Sequence, residues 1–269
     1  LAFGQGILKS LPPGSVYFGG TDPGRGLVTA LSKSHAKADP CFILTQNALA
    51  DGTYLHYLRL MYGARLYMPS QEDSQKAFSE YLADAQQRLK ANKLKPGEDV
   101  KVVDNRVQVS GQVAVMAINA RLAKVIFDKN PDREFFIEES FPLDWMYPHL
   151  SPHGLILKVN REPLSTLTDA HIEQDRTYRD AQVRQTLGDW LKGDTTITEL
   201  CRFTERVYQR RDLEGFSGDS RYVTNAYACK MYSKLRSSMA GVYAWRAAQK
   251  VEPDEQKRLQ RAAEHAFRQ

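Results

Sequence analysis

The sequence predicts an α/β fold: a Rossmann-like, three-layer parallel or mixed sheet with a β-hairpin at its edge, followed by an all-α helical region. The segment SVYFGGTDPGRGLVTAL (15–31) is typical of a strand, a glycine-rich turn and a helix. CFILTQNALADGTYLHYLRLMYG (41–63) repeats that order. Two consecutive strand–helix pairs favour parallel strands joined by right-handed crossovers. Beyond Pro163 only helical patterns follow, so we predict an α/β domain at 1–165 and a helical domain at 166–269.

The composition is ordinary for a globular protein. The 269 residues are 42% hydrophobic and 26% charged, with a formal net charge of +5. Basic and acidic residues alternate along the predicted helices, which is typical of a charged surface and predicts no nucleic-acid partner. No segment approaches the roughly 20 apolar residues that a membrane helix needs. Residues 1–11 resemble an amphipathic helix rather than a signal peptide, so we expect neither a membrane span nor a signal peptide.

The first elements follow from proline, glycine and apolar spacing. The helix over 1–11 ends at Pro12-Pro13-Gly14, and the next helix begins at Pro23 after the strand around 16–18. A second strand at 41–45 precedes a helix at 51–63 that we expect Asp51 to cap.

The middle of the chain predicts further helices and strands. Ser70 with Asp73 indicates a capping box for a helix over 70–91. The segment 100–109 alternates around Asp104-Asn105 and predicts a hairpin at the sheet edge. We expect Ser110 to cap the helix that follows. Strands are predicted at 134–138 and 155–159, separated by the aromatic and proline-rich FPLDWMYPHLSPH.

The last hundred residues predict helices alone. Their bounds are 168–192, 196–211, 219–249 and 253–268. Alanines recur where the last two helices would approach each other, which is compatible with the start of a helical-repeat array.

Polar residues after the first two predicted strands form the leading candidate ligand site. Parallel strands bring their carboxyl ends to one edge, where α/β proteins bind ligands. In one interpretation, turn amides and Arg25 hold a phosphate or carboxylate while carboxylates hold sugar hydroxyls. In the other, the glycines shape a tight connection and the polar residues cap helices. The candidate ligand-binding residues are Gly20, Thr21, Asp22, Arg25, Gln46, Asn47, Asp51 and Tyr54.

Acidic residues after the third long strand indicate a second possibility. Glu138, Glu139 and Asp144 lie close in sequence to Trp145 and Tyr147. Paired carboxylates beside aromatic rings suit a glycosidase, although a loop packed on a core has the same composition. In this alternative the chain is a hydrolase of glycosides, esters or phosphoesters, with Asp22, Asp51, Glu138 and Glu139 as catalytic residues.

No metal or cofactor is predicted. His149 and His153 have a spacing that binds metal on a helix, but Pro148 and Pro152 argue against a regular helix. Cys41, Cys201 and Cys229 lack zinc-ligand spacing and are expected in apolar packing.

The order of elements resembles an uncharacterised family of bacterial multi-pass membrane proteins related to the protein O-mannosyltransferases of the GT-C glycosyltransferase superfamily. The similar segments are ILKSLPPGSVYFGGTDPGRG, CFILTQNALADGTYLHYLRLMYG and EFFIEESFPLDWMYPHLSPHGLILKVNREPL. They lie within residues 1–165, and the helical region resembles the start of tetratricopeptide-like repeats. The turn TDPGRG departs from the Asn-Asp pair that many relatives carry there.

The resemblance implies a soluble extracytoplasmic, periplasmic region of a larger membrane protein. The catalytic aspartate of the superfamily lies in the membrane half, which this sequence lacks, so its activity is not carried over. The implied role is binding of a glycan, a sugar phosphate or a partner domain. The chain begins and ends within helical patterns, and we therefore expect it to be part of a longer protein.

Overall fold

The computed structural model describes most of the chain. The described residues are 1–19, 23–32, 41–104, 106–138, 142–192 and 194–269, without the side chains of 23–25 and 106. Together they form a mixed α/β structure whose C-terminal part is helical.

Within the described residues, five strands form one mixed sheet in the order β2-β1-β5-β7-β6. The strands are β1 (Ser15–Gly19), β2 (Cys41–Thr45), β5 (Phe135–Glu138), β6 (Leu150–His153) and β7 (Ile156–Val159). β2, β1 and β5 are parallel, whereas β7 is antiparallel to both β5 and β6. The predicted parallel pairing of the first two strands is confirmed, with Val16 beside Phe42.

Helices pack on both faces of this sheet. The helices before residue 165 are α1 (Ala2–Ser10), α2 (Pro23–Leu31), α3 (Gly52–Tyr62), α4 (Gln71–Lys90) and α5 (Gly111–Lys129). On one face, Val16 and Phe18 pack with Leu55 and Leu122. On the other, Tyr17 packs with residues of α1 and α2. Alternation of side chains along the buried strands explains why each strand contributes to both cores.

The hairpin is present, but its predicted position at the edge of the main sheet is wrong. β3 (Asp99–Val103) and β4 (Arg106–Ser110) form a separate antiparallel pair among the described strands. Val100 packs with Tyr81 and Ala85 of α4 and Ala114 of α5, in a small core of its own. The two edge strands of the main sheet, among those described, are β2 and β6.

The local caps were predicted with mixed success. Ser70 and Asp73 form the expected capping box, and Asp51 caps α3. Ser110 occupies the N-cap position of α5 without a side-chain cap bond, because its hydroxyl donates to Asp99 on the paired strand. Asp99 and Ser110 face each other in the hairpin register, and this contact competes with the cap.

The aromatic and proline-rich segment contains two short elements. A 3-10 helix spans Asp144–His149, and β6 follows it directly. Asn160 donates its side-chain amide to the His149 carbonyl and to the Ser151 hydroxyl, each at 2.8 Å. These contacts hold the start of β6 against the end of β7.

The C-terminal region consists of helices among its described residues. They are α6 (Asp169–Leu187), α7 (Ile197–Thr204, extended by a π-helical turn at Glu205–Gln209), α8 (Ser220–Val223), α9 (Ala226–Ala247) and α10 (Pro253–Arg268). The single helix predicted over 219–249 is wrong, since Asn225 starts a new helix by accepting from the Ala228 amide. Met239, Tyr243, Leu259 and Ala263 belong to the same core as Val16 and Phe18, so apolar packing continues across residue 165.

Candidate functional site

The carboxyl ends of three parallel strands meet at one edge of the sheet. Gly19 lies beside Thr45 on one side and beside Glu138 on the other. The chain passes from β1 to β2 on one side, and β5 later joins β1 on the opposite side. Such an edge is a topological switch point, where open α/β sheets form a ligand crevice. The structure therefore brings Glu138 to the edge at which Gln46 follows β2.

Glu138 is a buried acid at this edge. It is 1% exposed, and its Oε2 accepts a hydrogen bond of 2.5 Å from the Tyr17 hydroxyl. Tyr17 and Glu138 are 121 residues apart in the chain, and the pairing of β1 with β5 brings them together. A buried carboxyl needs such donors, because removing it from water is costly. The strand pattern alone does not mark Tyr17 as a site residue, although a tyrosine in a fully apolar strand signals a polar partner for its hydroxyl.

Gln46 lies in a 3-10 turn (Gln46–Ala48) directly after β2 and is 0% exposed. Neither its Oε1 nor its Nε2 has a hydrogen-bond partner among the residues that the structure describes. The buried Oδ1 of Asn47 is also unpartnered within the same described set. Leaving a buried amide unpaired costs about 1–3 kcal/mol for each group, so these atoms require an explanation beyond packing.

Asn119 of α5 holds this turn in place and was also missed from the sequence. The buried side chain accepts from the Ala50 amide at 2.6 Å and donates to the Asn47 carbonyl at 2.9 Å. An asparagine within an apolar stripe was the available signal, because buried amides are hydrogen-bonded as a rule. The turn after β2 is thus fixed to a helix on one face of the sheet.

Tyr54 and Asp51 have structural contacts at the start of α3. The Asp51 carboxylate accepts from the amides of Thr53 and Tyr54, at 2.8 and 3.0 Å. The Tyr54 hydroxyl accepts from the Thr45 amide at 2.8 Å, at the very end of β2. The Tyr54 ring stacks on Tyr57, whose side chain is exposed, at a centroid distance of 6.3 Å. An aromatic pair therefore borders the edge.

Several predicted site residues lie in segments other than those described. Gly20, Thr21, Asp22 and Glu139 lie outside the described residues, as does the side chain of Arg25. α2 begins at Pro23 as predicted. The anion site predicted around Arg25, and the pairing of Glu138 with Glu139, stay predictions.

The residues near Asp144 have packing contacts. Asp144 is exposed, and the Trp145 indole donates to the Ala120 carbonyl at 3.0 Å. His149 Nδ1 and His153 Nε2 each contact a backbone carbonyl, of Asn160 at 2.8 Å and of Ser10 at 2.7 Å. A carbonyl can only accept, so each of these ring nitrogens carries a proton. Across the part of the chain that the structure describes, no three His, Cys, Asp or Glu side chains are grouped as a metal site.

None of the described helices is both long and apolar enough to cross a membrane. Comparison of the chain with protein-family models, with curated proteins and with solved structures finds no match.

Proposed function

We propose that the α/β part of this chain binds a carbohydrate or a sugar phosphate at the carboxyl edge of β2, β1 and β5. As the sequence resemblance implies, it would do so as a soluble, extracytoplasmic region of a glycosyltransferase-like membrane protein. The observation that carries the proposal is Gln46, a buried amide whose two polar atoms lack partners within the described structure.

The chemistry of the edge supports a sugar-like ligand. Sugar hydroxyls both donate and accept, and an amide offers both functions at once. The buried Glu138 carboxyl lies at the end of β5, two strands away from β2, and Tyr57, stacked on Tyr54, has an exposed ring. Sites for small ligands combine a few fixed polar groups with aromatic walls in this way.

The test is Gln46→Met, which keeps the volume and removes both polar functions. If Gln46 serves a ligand, the variant loses sugar binding while its melting temperature rises, because an unpaired buried amide is removed. Isothermal titration with mannose, glucose, galactose and their 1-phosphates measures the first effect, and thermal unfolding the second. Gln86→Met on the exposed surface of α4 is the matched control and should change neither.

Two results of the titration contradict the proposal. One is the absence of heat with every sugar and sugar phosphate at millimolar concentration. The other is equal binding by the wild type and Gln46→Met. A lower melting temperature for Gln46→Met would assign the amide a structural role instead.

A self-contained hydrolase is the second candidate function, favoured by the burial of Glu138 at the same edge. A hydrolase of this kind needs a second carboxylate beside Glu138. Asp51 is already engaged as the cap of α3, and Asp22 and Glu139 lie outside the described residues. Turnover of chromogenic glycosides or esters that disappears in Glu138→Gln would support this candidate. No turnover by the wild type would exclude those substrates.

A further inference from the structure

A cluster of charged side chains is buried between α6 and α9. Asp175 Oδ2 accepts from Arg236 Nη1 at 2.7 Å and from the Tyr243 hydroxyl at 3.0 Å. Arg179 Nε lies 3.9 Å from Asp175 Oδ1. All four residues are at most 4% exposed. Such burial of ionised groups is rare unless each charge has a partner.

The charges in this cluster do not balance. Two guanidinium groups share the single carboxylate of Asp175, which leaves one positive charge in excess. Burial, and then the neighbouring charge of Arg236, lowers the pKa of Arg179 to about 10, so it stays cationic at neutral pH. The buried Nε atoms of Arg179 and Arg236 have no acceptor among the described residues. Arg179 donates to the neutral side chain of Gln182 and to the Leu155 carbonyl, each at 3.0 Å, so its hydrogen bonds do not offset its charge. An anion from outside the chain would balance it.

A pocket of about 180 Å³ opens beside this cluster, between α6, α9 and α10. Asp175, Arg236 and Tyr243 line it, together with Ile172, Ala262 and three further arginines, Arg176, Arg258 and Arg261. A single water needs about 10–15 Å³ on the same measure of volume, so the pocket is more than ten times larger than that minimum. It can therefore hold a phosphate group with a small organic part.

The arginines of the pocket differ in how far their donors are engaged. Arg258 donates to Asp169 at 2.8 Å and to the Leu167 carbonyl at 2.7 Å, so it mainly holds the start of α6. Arg176 lies 3.8 Å from Asp180. Arg261 is exposed and makes no hydrogen bond or ion pair with any residue that the structure describes. Among the pocket arginines, Arg261 thus has its donors unengaged by the described residues, and Arg236 keeps one Nε donor without an acceptor.

We propose that this pocket binds the phosphate group of a small organic molecule, with Arg236 and Arg261 as its ligands. Guanidinium forks match the geometry of phosphate oxygens, and Arg261 has no acidic partner among the described residues. Ile172, Ala262 and the Tyr243 ring offer apolar contacts to the organic part. The site is independent of the sugar site proposed above and uses none of its residues.

The test is isothermal titration of the full chain with inorganic phosphate and with phenyl phosphate, at constant ionic strength. We expect both to bind, phenyl phosphate more tightly, and Arg261→Ala to weaken binding at least tenfold. Arg184→Ala is the matched control: it removes one exposed arginine from α6 outside the pocket and should leave binding unchanged. Arg236→Met should abolish binding; far-UV circular dichroism shows whether this variant folds, and Arg261→Ala decides if it does not.

Three results would overturn the proposal. The first is the absence of binding by the wild type. The second is an equal loss in Arg261→Ala and Arg184→Ala, which would indicate attraction by net charge alone. The third is equal affinity for inorganic phosphate and phenyl phosphate, which would show that the pocket does not recognise an organic group.

Discussion

At the scale of single residues, Asn119 illustrates how one buried amide positions a candidate site. Its two hydrogen bonds reach the backbone of the turn after β2, on both sides of Ala48. Backbone groups of a connecting turn cannot stay unpaired when buried. The position of Gln46 therefore depends on a side chain from a different element.

We predict that Asn119→Ala lowers the free energy of unfolding by about 2–4 kcal/mol, because the Ala50 amide and the Asn47 carbonyl both lose their partner. Urea unfolding followed by circular dichroism measures the loss. Gln112→Ala, at an exposed position on the same helix, should change stability by less than about 0.5 kcal/mol. Similar values for the two variants would contradict the assignment.

Prediction from sequence succeeded where the interacting residues are neighbours along the chain. Ser70 and Asp73 are three residues apart, and their reciprocal bonds form as expected. The hydroxyl of Ser110 is engaged by Asp99, eleven residues away across a hairpin. Tyr17 and Glu138 lie 121 residues apart. Contacts between residues that are distant in the chain depend on strand pairing, which the local spacing of residues does not specify.

At the scale of elements, Glu98 joins α4 to the β3–β4 hairpin. Its carboxylate accepts from the Tyr81 hydroxyl at 2.8 Å, from Arg88 Nε at 3.1 Å and from the Lys95 amide at 2.9 Å. The hydrogen bonds from Arg88, with those from Lys95 and Tyr81, lower the pKa of Glu98 from 4.5 to about 2. The hairpin is held against its helix by an ionised group.

This contact predicts an acid-sensitive contribution to stability. The folded chain binds a proton at Glu98 less readily than the unfolded chain, so the contribution is present above pH 4.5 and is lost as the pH falls towards about 2. We predict that Glu98→Gln lowers stability at pH 7 by about 1–3 kcal/mol and flattens the pH dependence below pH 4.5. Urea unfolding across pH 2–7 checks this. The prediction would be contradicted if the free energy of unfolding of Glu98→Gln fell below pH 4.5 as steeply as that of the wild type.

Helices with a long apolar stripe could be predicted from the sequence, whereas short strands and the packing of the hairpin could not. The buried stripe Leu55, Leu58 and Tyr62 of α3 matches the helical spacing of the sequence. β6 has only four residues and includes Pro152, so it carries too little pattern to be predicted. The separation of the β3–β4 hairpin from the main sheet depends on its packing against α4 and α5, which hairpin turn residues do not encode.

At the scale of the whole molecule, the apolar core extends across the predicted boundary at residue 165. The Tyr147 ring contacts Trp245 at a centroid distance of 5.3 Å. Arg246 of α9 donates to the carbonyls of Leu164 and Pro148, at 3.1 and 2.9 Å. These contacts join the C-terminal helices to the segment that carries β6. The division into two domains, 1–165 and 166–269, stays a prediction. The two parts share one apolar core.

We predict that a fragment of residues 1–165 does not unfold cooperatively by itself, because removing α9 and α10 exposes the side chains that pack against them. Urea unfolding of the fragment and of the full chain, followed by circular dichroism, measures this. In the full chain, fluorescence and circular dichroism should report one midpoint. A cooperative transition of the fragment at the midpoint of the full chain would contradict the prediction.

The outermost strand of the sheet also bears on how the protein behaves in concentrated solution. β6 forms one border of the sheet, and Pro152 lies at its centre, paired with Leu157. A proline has no amide hydrogen to offer to an approaching chain, and natural proteins use this property to discourage intermolecular strand addition. Pro152 therefore withholds an amide hydrogen at this border, and Arg246 already occupies the nearby Leu150 carbonyl, so two features of one chain oppose the addition of a strand from a second copy.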